Sequence, residues 1–153
     1  MNVEQILWYA LALCRKYEGL HLKPYLCPAG VPTIGYGATF YENGAKVTLK
    51  DNSITKDRAE ELLRYHLKKS FLPNVLKLCP TLDTESNAAA ILDFTFNLGA
   101  GNLKASTLRK RILARQWQDV PGELKKWNKA GGKVLRGLTL RRESEAVLVL
   151  LGS

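Results

Sequence analysis

An amphipathic helix that runs straight into a glycine-rich extended segment constrains this chain more than any other feature. Val3, Ile6, Leu7, Ala10, Leu11, Cys14 and Tyr17 recur at helical spacing, so residues 3–18 read as one amphipathic helix. Gly19 supplies the C′ residue that ends it. Glu18 continues the edge of the apolar face, four residues after Cys14 and seven after Leu11. A carboxyl in that position is partly desolvated, which disfavours its charged form, the condition a general acid needs near neutral pH. After Pro24 the pattern turns extended, with a turn at Pro28-Ala29-Gly30 between two short strands. Alternation puts Thr33, Gly35 and Gly37 on one face and Ile34 and Tyr36 on the other. The first of these faces carries one hydroxyl and two positions without side chains, backbone that an extended sugar chain could approach closely. The alternative is that Gly35 and Gly37 serve a bulge or turn and that Glu18 is a solvated helix-end charge.

At 153 residues the chain is expected to form a single domain, residues 1–153, with a sizeable core. Apolar residues make up 46% and charged residues 24%, which excludes a disordered or fibrous class. The 23 Lys and Arg against 14 Asp and Glu give a formal charge of +9. That balance favours anionic partners such as nucleic acid, acidic lipid or an anionic cell wall, or serves solubility alone. Cys14, Cys27 and Cys79 are an odd number without framework spacing, so reduced thiols are expected. His21 and His66 lack CxxC or HExxH surroundings, and no metal cluster is expected. The longest apolar run near the start, residues 6–14, is too short to span a bilayer and has no basic leader or cleavage site. It reads as a mature helix, with neither signal peptide nor membrane anchor.

Further along, Asn43-Gly44 marks a hairpin or loop closing the first lobe. Thr55 caps a helix with Asp57 in its first turn and Ala59, Leu62, Leu63, His66 and Leu67 on one face. Pro73 interrupts or kinks that run before it resumes to Leu78. His66, on the apolar edge, reads as a packed structural histidine. Asp83 or Thr84 caps a helix over 85–98, which Gly99-Ala100-Gly101 ends. Ser106 caps another through Trp117, Pro121 opens one carrying Leu124 and Trp127, and residues 139–151 form the last. Lys125, Lys126, Lys129, Lys133, Arg136, Arg141 and Arg142 form a basic band around Trp127, either a surface for an anionic polymer or membrane or a solvated helical face.

Eight residues separate Glu18 from Cys27 and five separate Cys27 from Thr33, with Gly19, Pro24, Tyr25, Gly30 and Thr33-Ile34-Gly35-Tyr36-Gly37 in place around them. This stretch resembles the bacteriophage lysozyme (endolysin) family, whose signature is Glu, eight residues, Asp or Cys, five residues, Thr. Phe96-Asn97-Leu98-Gly99, Trp127 to Gly132 and the run Gly137-Leu138 with Arg141, Arg142 and Glu145 extend the likeness over nearly the whole chain. The resemblance implies an α+β, lysozyme-like fold: a small N-terminal lobe with short β-hairpins, joined by a long helix to a larger all-helical lobe. The lobes would cover roughly 15–55 and 80–153, with the linking helix near 56–72.

It also implies a muramidase that hydrolyses the β-1,4 bond between N-acetylmuramic acid and N-acetylglucosamine in peptidoglycan. Glu18 would be the general acid, and Cys27 and Thr33 would hold the attacking water on the opposite sugar face, the inverting geometry. Tyr25, Gly35, Gly37, Asn97 and Thr107 are the implied substrate-binding residues; Asn97 could equally hydrogen-bond its own helix end. Neither cofactor nor metal is implied. The implied partners are peptidoglycan, the anionic bacterial envelope and a separate pore-forming holin. No nucleic acid is expected, and the protein would be a monomer held in the host cytoplasm until release. Two positions depart from the commoner pattern: Cys27 replaces an Asp, and Ala38 stands where many relatives have His. Two rival classes remain, a cell-wall Cys peptidase or amidase using Cys27 with His66 or His21, and a non-catalytic basic polymer-binding domain.

Overall fold

The computed structural model describes residues 1–151. Helix α1 spans Val3–Tyr17 and starts where the Asn2 side chain accepts a hydrogen bond from the Gln5 amide at 3.2 Å. Its buried stripe is Ile6, Leu7, Ala10, Leu13 and Cys14, so the helical spacing in the sequence corresponds to the face that meets the core. The helix stops at Glu18, whose backbone turns extended (φ −90°, ψ 139°) while its amide still donates to the Cys14 carbonyl. That cap leaves the Glu18 side chain at the junction between helix and sheet.

Strands β1 (His21–Leu26) and β2 (Pro32–Gly35) pair antiparallel, with Tyr25 opposite Thr33 and Leu26 opposite Pro32. The ladder is irregular between His21 and Tyr25, around Pro24, which has no amide hydrogen to donate. The turn closes with the Gly30 amide donating to the Cys27 carbonyl at 2.8 Å, and Gly30 takes a φ of 77°. The expected alternation does not hold beyond Thr33. Thr33, Ile34, Gly35 and Tyr36 are all buried, because this segment is covered on both sides. Gly35 lies against α2: a Cβ built there would sit 3.4 Å from the Ala59 Cβ. Gly37, by contrast, is exposed and has open space around it.

Ile34, Ala38, Val47 and Leu62 form a small core of their own, backed by Tyr41 and Ile54. An isolated bridge between Phe40 and Lys46 closes the Asn43-Gly44 loop. Helix α2, Lys56–His66, starts at Thr55, whose hydroxyl accepts from the Arg58 amide at 3.1 Å. Its neighbouring leucines part company, Leu62 entering the small core and Leu63, with Ala59, the large one. The helical path continues through a π-turn at Leu67–Phe71 into α3, Leu72–Leu78. The linking helix expected near 56–72 therefore carries on to Leu78, and Pro73 does not break it. Proline has no N–H for the usual bond four residues back, and the π-turn just before it shifts the register so that the Leu72 amide reaches the Leu67 carbonyl.

In the larger lobe, α4 (Glu85–Leu98) is buried continuously from Ser86 to Thr95 and packs against α1 and the last helix. Its capping box joins Thr84 and Asn87. Gly99 ends α4 with φ 92°, but Ala100 and Gly101 go on into α5, Ala100–Ala105. Ser106 caps α6, which covers only Thr107–Leu113; a 3-10 turn at Trp117–Asp119 leads into α7, Val120–Lys125. Strands β3 (Lys129–Ala130) and β4 (Lys133–Val134) make a second hairpin that the helical reading of this region had no place for. Helix α8, Arg136–Leu151, begins before the expected residue 139. The large core runs from Ile6 through Phe94 and Leu108 to Val149. None of the described helices is long and apolar enough to cross a membrane.

Candidate active site

A groove of about 290 Å³ lies between the two lobes, lined by Glu18, Gly37, Ala38, His66, Phe71, Phe96 and Asn97 among others. It continues both ways. Glu18 and Asn97 also border a pocket formed by Tyr17, Leu135, Gly137, Leu138 and Arg141, while Thr39 and Phe40 also border one formed by Val31, Pro32, Lys46 and Val47. The three together make one trough that passes over the Glu18 carboxyl, a shape suited to a long polymer.

Glu18 is fixed from the far end of the chain. Its Oε1 accepts a hydrogen bond from the Arg141 guanidinium at 2.7 Å, and its side chain is 25% exposed, so it is reachable from the groove. Arg141 is itself buried and makes a fork with Asp93, Nε to Oδ2 at 2.9 Å and a terminal nitrogen to Oδ1 at 2.8 Å. Burial works against the Arg141 charge, but Asp93 and Glu18 outweigh it and hold the guanidinium more firmly protonated than usual. The Cys14 thiol donates to the same Asp93 oxygen at 3.3 Å, and its own pKa is pushed up, first by burial and then by the Asp93 charge.

The cluster extends through a second arginine. Arg142, fully buried, donates to the Asn97 side-chain oxygen and to Glu145 Oε2, each at 2.9 Å. Its Nε stands 2.7 Å from Glu145 Oε1, an ion pair too bent to count as a hydrogen bond. Three carboxyls (Glu18, Asp93 and Glu145) thus share two guanidiniums. Burial, then the adjacent Asp93, pushes the Glu145 carboxyl well above the ordinary carboxylate range. Asp93 stays below that range: burial opposes this, and hydrogen bonds from Glu145 and Arg141 prevail. A consequence reaches the groove. Because Arg142 occupies the Asn97 oxygen, the Asn97 amide group presents its N–H donors to whatever lies over Phe96.

Cys27 sits at the end of β1, partly exposed, where the Val31 and then the Ala29 amides stabilise its thiolate and hold its pKa below that of a free thiol. Thr33 is 2% exposed and donates to the Val31 carbonyl at 2.8 Å, which leaves its oxygen lone pairs as acceptors. Tyr25 stacks on His21 with ring centroids 3.8 Å apart. Burial, then the charges of Cys27 and Glu18, raise the pKa of its phenol, so it lies in the field of both.

Of the residues singled out from the sequence, Glu18, Gly37 and Asn97 meet in the groove, and Cys27, Thr33 and Tyr25 cluster on the adjoining hairpin. Gly35 lies outside the groove lining, packed on α2, and Thr107 is exposed at the start of α6 away from it. His66 is buried with Nε2 bonded to the Phe40 carbonyl at 2.8 Å; burial lowers its basicity. Arg141 and Arg142 do not belong to a basic surface band: they are 3% and 0% exposed. The helical period carried that information, since Arg141, Arg142, Glu145, Ala146 and Val149 recur on one face of α8 with buried residues on either side. Asp93 stands within the apolar run of α4 and left no comparable trace.

The phage lysozyme family model matches residues 15–145. The chain is 37% identical over 152 residues to the endolysin of Bacillus phage B103, a match covering 99% of this chain but 55% of that protein, so it spans about half the length of this relative. Among solved structures, the endolysin from Escherichia coli O157:H7 phage FAHEc1 superposes with a TM-score of 0.81 at 31% identity, covering 95% of this chain and 92% of that one. The muramidase domain of SpmX from Asticaccaulis excentricus gives a TM-score of 0.74 at 30% identity, covering 92% of this chain and 94% of that one. With a helix-end glutamate in an interlobe groove, a Cys and a Thr on the neighbouring hairpin, and a family match over most of its length, the chain belongs to the phage lysozyme family.

Proposed function

We propose that the protein is a phage endolysin of the muramidase type, hydrolysing the β-1,4 bond between N-acetylmuramic acid and N-acetylglucosamine in peptidoglycan. The observation that carries this reading is the Glu18 carboxyl in the floor of the interlobe trough, held by Arg141. Arg141 engages Oε1, which leaves Oε2 to carry the proton delivered to the leaving glycosidic oxygen. A sugar seated in the groove excludes bulk water from around the carboxyl and brings the leaving oxygen to it. Cys27 and Thr33 receive the attacking water on the opposite face. Cys27, whose pKa is lowered by the Val31 and Ala29 amides, supplies on ionising the negative character that an Asp would give, and Thr33 supplies an acceptor oxygen. This is the inverting arrangement, in which the acid and base lie roughly 6.5–9.5 Å apart to admit water. Gly37 and Asn97 bind the glycan, and Tyr25 closes the hairpin side. In this reading the monomer waits in the host cytoplasm and reaches the wall through a separate holin.

A Cys peptidase needs a base on its sulfur, and neither histidine supplies one: His66 is bonded to Phe40 and His21 is stacked on Tyr25. Mass spectrometry of digested peptidoglycan tests the proposal. Reducing N-acetylmuramic acid ends are expected; anhydro ends would make the enzyme a lytic transglycosylase, and free stem peptides an amidase. Glu18→Gln should lower turnover by about 10²–10⁴-fold, the contribution of a general acid, with the melting temperature unchanged or raised. Wild-type turnover in the folded variant would remove Glu18 from that role.

A further inference from the structure

Helices α1 and α8 lie side by side and run in opposite directions. At one end the Tyr17 hydroxyl donates to the Leu140 carbonyl at 3.1 Å and lies 2.6 Å from Ser144 Oγ. Further along, Tyr9, Ala12 and Leu13 of α1 face Val147 and Leu148 of α8 across a shallow groove of about 250 Å³. The rims of that groove are apolar and wet. Trp8 on α1 is 66% exposed, and Val147 and Leu151 on α8 are 60% and 63% exposed. Leu140, Ser144, Val147 and Leu151 fall four, three and four residues apart, so they form one stripe along α8. The same helix buries Arg141, Arg142 and Glu145. A helix that turns three charged side chains inward and leaves such a stripe outside is not arranged for water alone.

Cations border this face. Arg15 and Lys16 are exposed two turns after Trp8, and one turn before it Glu4 is met by both Arg64 and Lys68, which leaves an excess of positive charge. Glu143, an exposed acid of α8, stands at the Tyr17 end, away from Trp8 and Leu151. A formal charge of +9 makes two copies of the chain repel, which disfavours a second copy as the occupant, and it attracts an anionic surface. An indole beside aliphatic side chains, with arginine and lysine at the edge, is the composition that seats a helix in the headgroup layer of a bilayer. We infer that the α1–α8 face docks on the surface of a bilayer that contains anionic lipid. Trp8 lies about 15 Å along α1 from Glu18, at 1.5 Å per residue, so the docked protein keeps its trough clear. This docking does not depend on which bond the enzyme cuts.

The test uses vesicles of phosphatidylglycerol and phosphatidylcholine in equal parts, with vesicles of phosphatidylcholine alone beside them. Co-sedimentation and tryptophan emission are measured for the wild type, for Trp8→Ser and for the double variant Val147→Ser/Leu151→Ser. The wild type should sediment with the anionic vesicles and much less with the neutral ones, with its emission shifted to the blue. Each variant should bind the anionic vesicles about tenfold more weakly or worse, the scale of one or two apolar side chains left in water. Both should melt and cleave soluble glycan fragments as the wild type does, since the replaced side chains are exposed and lie outside the trough. Variants that bind as tightly as the wild type would mean attraction by charge alone and overturn the inference. So would equal binding to both kinds of vesicle, or a wild type that sediments with neither. A wild-type dimer in sedimentation equilibrium that the same substitutions dissociate would give the face to a second copy and overturn it too.

Discussion

On the proposed function, Cys27 is the residue on which the chemistry turns. The Val31 and Ala29 amides that lower its pKa favour a thiolate, the nearest equivalent a cysteine offers to the Asp found at this position in other family members. If its work is to hold water and supply negative character, Cys27→Asp keeps substantial activity, while Cys27→Ala loses about 10²-fold or more, as for other groups that manage a proton or water in the transition state. Both should melt close to the wild type, because the side chain borders the surface and its removal leaves no core cavity. A covalent role predicts instead a trapped thioglycosyl adduct and retention of configuration. Rate, melting temperature and product anomer on the same two variants separate these outcomes, and an active but destabilised Cys27→Ala would leave the residue a packing role only. Glu18, Cys27 and Thr33 were legible in the sequence because they lie within one short stretch at fixed spacing. Arg141, 123 residues from Glu18, was not: an ion pair between distant segments leaves no local pattern, and two adjacent arginines look like surface charge until the helix is rotated to its buried face.

At the scale of elements, helices were legible wherever apolar residues kept a strong period, as in α1 and α4, and their ends where a capping side chain was present. Strand β2 was harder, because period-two alternation assumes one wet face, and both faces here are covered. The two glycines that alternation placed together now part. Gly35 and Gly37 both have positive φ, 68° and 91°, so alanine at either should cost about 1–2 kcal/mol of stability. Only Gly37 lines the groove. Gly37→Ala is therefore expected to raise KM on glycan strands as well, while Gly35→Ala, packed on Ala59, melts lower with kcat/KM intact. Steady-state kinetics and thermal melts on the pair check this, and a raised KM in Gly35→Ala alone would reverse the assignment. The hairpin of β3 and β4 escaped notice because two-residue strands carry no measurable period, although Gly131-Gly132 was a turn signal in plain view.

For the whole molecule, the α+β architecture of a small sheet lobe and a helical lobe was legible from the order of its elements, and the charge of +9 from composition alone. Two of the cations once counted in the basic band are spent inside the core, so attraction to an anionic envelope rests on the exposed lysines and arginines. Such a field is screened over a Debye length of about 10 Å at 0.1 M salt. Activity on intact cell walls should fall steeply with ionic strength, while cleavage of a short neutral oligosaccharide should hardly change; equal salt sensitivity on both would show that charge serves the chemistry and not the approach. The Arg141 anchor of Glu18 has a temporal side as well. The cation follows the acid by 123 residues, a lag of roughly 6–25 s at ribosomal rates of 5–20 residues per second. During that interval the nascent chain already contains its acid, hairpin and first helix, but nothing yet holds the carboxyl in place. On the proposed function, the acid is thus left without its anchor by the order of translation until the helix that carries Arg141 has been made.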